Sequence, residues 1–126
     1  MNDFFYKKLD AYQLAMELVI FSYGLINEFP EFEKYGLADQ ARRAAISIPS
    51  NIAEGMGRMS VKERIHFIDI AYGSLFELLC QLEIACKLNY ITDSQYEEIE
   101  QLSVRISKTI VGLKRVLQEK MEKNND

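Results

Sequence analysis

Tryptophan is absent from this 126-residue chain, and histidine occurs once, proline twice, cysteine twice and glycine six times. Each scarcity excludes something. Two prolines and six glycines are too few for a turn-rich all-β fold, which leaves helix as the default. With His66 alone and no clustered Cys or His, and with Glu97, Glu98 and Glu100 reading as the charged start of a helix, no metal or cofactor is expected. Cys80 and Cys86 stand six positions apart. On a helix that separates them by roughly 240°, so they cannot pair there. They read as reduced core residues of a reducing compartment. The opening "MNDFFYKKLD" has no apolar signal core, and no unbroken apolar run reaches membrane-spanning length. The expectation is a cytoplasmic protein with no membrane partner.

What is present is a chain of one-domain length, 48% hydrophobic and 27% charged, which is enough to build a core. The formal charge is −4, which argues against wholesale attraction to nucleic acid or anionic lipid. Residues 36–66 stand out as positive, with Arg42, Arg43, Arg58, Lys62 and Arg64 against Asp39, Glu54 and Glu63.

Apolar periodicity predicts four helices, over about 5–28, 37–57, 61–89 and 93–122. The first carries two seams. Phe5, Leu9, Tyr12, Met16, Val19, Tyr23 and Ile26 form a heptad line, with Leu14, Leu18, Phe21 and Leu25 to one side. The first helix ends before Pro30. Ser60 with Glu63, and Thr92 with Gln95, have capping-box spacing at the third and fourth helix starts. Short connections between four helices give an all-α, antiparallel up-down-up-down four-helix bundle in a single domain spanning residues 1–126.

The stretch "RRAAISIPSNIAEGMGR" (42–58) carries a proline where helix should continue. A mid-helix proline costs about 3 kcal/mol unless compensated, so Pro49 predicts a kink, with Ser47 or Ser50 serving the freed carbonyl. On a helical wheel Gln40, Arg43, Ser47, Asn51, Glu54 and Arg58 share one direction, opposite an apolar band. A matching stripe of His66, Gly73, Glu77 and Gln81 lies on the third helix. Counting back from the turn, antiparallel neighbours have numbers summing to about 117 if the chain reverses near residues 58–60. That places Gln40 and Arg43 beside Ser74 and Glu77, and Asn51 beside His66. The expectation is a structural polar network of Gln40, Arg43, Ser47, Asn51, Glu54, Glu77 and Gln81 that fixes register within or between subunits, with Arg43 paired to Glu77.

Catalysis finds no support. A serine nucleophile needs a base within reach, and His66 has no orienting partner in the pattern. "EGMGR" lacks the lysine and spacing of a phosphate-binding loop. Arg42, Arg58, Lys62 and Arg64 could form a local basic strip for a partner or RNA, with Tyr35 as a stacking residue.

Taken together, Tyr35-Gly36-Leu37, Gln40, Arg42 to Ala45, Ser47-Ile48-Pro49, Asn51 to Gly55, Gly73-Ser74, Glu77-Leu78 and Gln81-Leu82 resemble the motif of the 23S rRNA intervening-sequence protein family. The resemblance covers nearly the whole chain; Met56 stands where an aromatic is common. It implies a four-helix bundle that assembles into a ring, often a homopentamer; with no catalytic set among the residues, the leading expectation is a non-enzymatic, ring-forming interaction module. RNA association is a further implication. The accessory proteins of diversity-generating retroelements are similar in fold and bind a reverse transcriptase and nucleic acid, which gives an alternative reading as an RNA- or nucleoprotein-binding accessory protein.

Overall fold

The computed structural model describes residues 5–124, and among them only helices and turns occur. A 3-10 turn at Phe5–Lys8 leads into α1 (Asp10–Ile26). A second 3-10 turn at Glu31–Glu33 precedes α2 (Leu37–Met56). Then follow α3 (Val61–Lys87) and α4 (Asp93–Asn124). Each helix packs against its chain neighbours and α1 also against α4, with no diagonal contact between α1 and α3 or between α2 and α4. The arrangement is a square, an all-α antiparallel bundle in which the α1–α2 side lies opposite the α3–α4 side.

The helix ends follow local chemistry. Ser60 Oγ accepts the backbone N–H of Glu63 at 3.3 Å and starts α3. At α4 the box is reciprocal, because Gln95 N–H reaches Thr92 Oγ1 at 3.1 Å and Thr92 N–H reaches Gln95 Oε1 at 2.9 Å. Asn89 adopts φ 64° after the last turn of α3. The N–H groups of Tyr90 and Asn89 then close on the carbonyls of Ala85 and Cys86, the Schellman arrangement that satisfies orphan carbonyls.

In α1 the buried line is Ala11, Ala15, Leu18, Ser22 and Leu25. It takes in Leu18 and Leu25 of the second seam, with Ile26 of the first buried beside it, and leaves the other seam residues of the helix half-buried or exposed. Alanine and serine let α1 lie close to its neighbours, while the more hydrophobic Tyr12, Met16 and Val19 flank the contact. The core is completed by Ala41, Ala45, Ile48 and Ile52 of α2, by Ile68, Leu75 and Leu82 of α3, and by Ile99, Ile106 and Ile110 of α4. By length and composition α3 is apolar enough to cross a membrane. Asp69 and Glu77 interrupt its apolar run, which is why a search for an unbroken run passes over it. A helix apolar on more than one face needs cover on more than one face. Here α2 and α4 supply part of it, and Ile70, Phe76 and Ile84 remain exposed.

Candidate functional site: the α2–α3 junction and the uncovered faces

The expected network contracts to a hydroxyl knot. Ser47 Oγ and Ser74 Oγ are 2.8 Å apart across the two helices. Asn51 Nδ2 donates to both the carbonyl and the hydroxyl of Ser47, each at 2.8 Å. Ser47 is therefore occupied on both sides and does not serve a carbonyl freed by Pro49, as had been expected. The helix α2 is continuous through Pro49, with the ring buried. Four residues beyond Asn51, a Cβ on Gly55 would lie 2.9 Å from Phe67 Cβ and 3.2 Å from the Arg64 carbonyl. Here glycine is required by the close approach of α3.

Register corrects the remaining expectations. Ser74 faces Ser47, one turn further along α2 than Arg43. Side chains lean towards the N-terminus of their helix, so facing pairs in an antiparallel hairpin carry larger numbers than a count of backbone levels gives. Arg43 instead pairs with Asp39 of its own helix at 2.9 Å, and its side chain is 79% exposed. Glu77 is exposed and makes no ion pair with it. The local partner one turn away wins because it needs no ordering of a second helix. Glu54 pairs with Arg58 at 3.3 Å, and Gln40 is exposed. Gln81 is buried with its Oε1 unpartnered. His66 is exposed and packs edge-on to the Phe67 ring rather than against Asn51.

The basic strip also divides. Arg42 Nη2 donates to the Lys34 carbonyl at 3.1 Å, near the start of α2. Tyr35, 86% exposed, is at that end too. Arg58 lies at the other end, about 24 Å away at helical rise, with its guanidinium over the Phe67 ring at 4.6 Å. Arg64 Nε donates to the Arg58 carbonyl at 2.6 Å, and Lys62 is exposed. A second positive zone was passed over in the sequence. Residues 105–123 of α4 hold Arg105, Lys108, Lys114, Arg115, Lys120 and Lys123 against Glu119 and Glu122. Only Lys114 finds an acid among the described residues, Asp69 at 2.7 Å. The signal lay in the charge count of the last helix, which apolar spacing disguises.

The cysteines are free but are not core residues. Cys80 is exposed, and the half-buried Cys86 donates from Sγ to Asp93 at 3.1 Å. That hydrogen bond first, then burial, raises the Cys86 thiol above its ordinary value. Among the described residues no group of three or more His, Cys, Asp or Glu is placed to hold a metal.

Two apolar faces remain uncovered. On the α1–α2 side, Tyr12, Met16, Val19, Ile46, Pro49 and Ala53 line a groove of about 300 Å³, with Ile20 beside it 71% exposed. On the α3–α4 side, Tyr72, Ile110 and Val111 line a cleft of about 370 Å³ whose margin is polar, with Asp69, Lys114, Arg115 and Gln118. Phe76, 52% exposed, stacks edge-on against Tyr72, and Val104 is exposed nearby.

With this geometry in place, the sequence model described as 23S rRNA-intervening sequence protein matches residues 7–112. The chain belongs to that family. The 23S rRNA-intervening sequence match spans the hydroxyl knot, Gly55, and Ile46, Phe76 and Val111 of the two apolar faces. A crystal structure of a protein of unknown function from the S23 ribosomal protein family of Bacteroides thetaiotaomicron is similar in fold. The two share 26% sequence identity with a TM-score of 0.75, over 82% of this chain and 96% of that one. No curated protein matches the chain.

Proposed function

We propose that this member of the family is a non-catalytic interaction module of the cytoplasm that self-associates into a closed ring. A ring of five is the size its motif resemblance implies. The observation that carries the reading is apolar surface left bare on two sides of one bundle, with Ile20 and Ile46 on one and Phe76 and Val111 on the other. Exposed apolar patches of this kind mark interaction surfaces. Light scattering at micromolar concentration is the direct test: the expected mass is a whole multiple of the chain's 14.6 kDa. A mass equal to one chain overturns the proposal.

A second reading, contact with RNA, is favoured by Arg105, Lys108, Arg115, Lys120 and Lys123, which have no acid within salt-bridge distance among the described residues. Filter binding of structured RNA at physiological salt should show retention that falls in an Arg115→Glu, Lys123→Glu double variant. No retention even at low salt removes this reading.

A further inference from the structure

We infer that the α1–α2 face of one copy docks on the α3–α4 face of the next, head to tail, and that Arg43 and Glu77 meet across that junction. The inference rests on the self-association reading and says which surfaces perform it.

The two apolar faces lie on opposite sides of the square. Each holds a cleft, about 300 Å³ on one and about 370 Å³ on the other, with exposed Ile20 beside the first and exposed Phe76 beside the second. Two-fold pairing through either face would leave the other bare in every copy. A heterologous contact covers both, and when its rotation closes it gives a ring.

Charge fits the same arrangement on the rim formed by α2 and α3. Copies arranged around an axis parallel to the bundles stand at equal heights, with α1 of one beside α4 of the next and α2 beside α3. The Ser47–Ser74 contact sets heights on α2 and α3. One turn from Ser47 towards the start of α2 is Arg43, and the same rise along α3 from Ser74 brings Glu77 to within about one residue, or roughly 1.5 Å, of that height. Both side chains are exposed at outer corners of the square. Asp10 and Glu17 of α1 instead face Arg105 and Lys108 of α4 within the bundle, across a cleft on the side of α1 away from the groove. A neighbouring copy therefore brings an acid to Arg43. The pair that fails to form within one bundle is complementary between two.

The test uses the full chain and reads mass by light scattering or native mass spectrometry. Ile46→Glu spoils only the groove, and Phe76→Glu only the opposite face. Each alone should fall to monomer. Mixed in equal amounts they should form a heterodimer and nothing larger, because one intact groove meets one intact opposite face. Val104→Glu repeats the second arm without touching the Tyr72 stack, and helical circular dichroism confirms folding of each variant. Arg43→Glu should weaken assembly about tenfold, and adding Glu77→Arg should restore it. Wild-type chain at monomer mass removes the self-association reading itself. Wild-type assembly that survives both Phe76→Glu and Val104→Glu leaves that reading standing and overturns the head-to-tail assignment. Failure of Glu77→Arg to restore assembly overturns the Arg43–Glu77 contact.

Discussion

The hydroxyl of Tyr90 donates to the Glu33 carboxylate across 2.8 Å, although the two residues lie 57 positions apart in the chain. The other carboxylate oxygen of Glu33 accepts the backbone N–H of Leu37, the first residue of α2, at 3.1 Å. One side chain thus caps α2 and tethers the α3–α4 turn, where the Phe29 ring also meets Tyr90 at 5.5 Å.

Removing that carboxylate should therefore be felt in two places. Glu33→Ala is expected to cost about 1 kcal/mol, the usual effect of losing a helix cap. Glu33→Gln keeps an acceptor oxygen and should lose less. Urea denaturation of the two variants beside wild type provides the comparison, and equal losses would show that the charge matters more than the cap.

Alkaline pH probes the same contact. Burial first, then the hydrogen bond to Glu33 and its negative charge, raise Tyr90 above the usual tyrosine value of 10. A pKa raised on folding contributes stability that is complete below the unfolded value and is lost as pH rises through the folded one. Stability measured from about pH 9 to about pH 11.5 should fall more steeply in wild type than in Tyr90→Phe. Tyr96 is raised too, mainly by burial, so a shallower fall should persist in the variant.

Ser22 and Ser103 carry buried hydroxyls with no hydrogen-bond partner. Burying an unpaired hydroxyl is costly, and alanine is the better helix former. Ser22→Ala and Ser103→Ala should each raise stability by about 1 kcal/mol, read as a shift of the denaturation midpoint with unchanged slope. A fall in the midpoint would mean that the hydroxyl has a partner in solution.

Glycines offer a matched contrast. Gly55→Ala drives a methyl group against Phe67 and the Arg64 carbonyl, and overpacking of this kind costs about 1–3 kcal/mol. At Gly112, also inside a helix, an added Cβ meets nothing within 4 Å. There alanine should stabilise by about 0.5–1 kcal/mol. Thermal melts of the two variants should move in opposite directions.

Much of this architecture was legible before any coordinates. Helix starts at Ser60 and Thr92 could be read because a capping box is complete within four residues, and the bundle followed from periodicity that spans whole helices. Contacts decided by close backbone approach were harder. Half of the buried residues of α1, Ala11, Ala15 and Ser22, are ones that a hydrophobicity pattern passes over, while Leu18, Leu25 and Ile26 stand in the expected seams. The α2–α3 register differs by a turn from a count made from the loop, and the lean of side chains, about one residue on each helix, accounts for about half of that. Arg43 was assigned a distant acid when Asp39 stood four residues away. The cations of α4 escaped notice because they alternate with Ile106, Ile110, Leu113 and Leu117, the residues that made the helix recognisable.

Within the stretch from Arg42 to Arg58, Ser47, Asn51 and Gly55 all set how closely, and in what register, α2 meets α3. That stretch is thus a gauge of spacing: it fixes the distance between two helices. Substitutions that respect that distance leave the outer corners at liberty, so partner choice can change while the scaffold stays as it is.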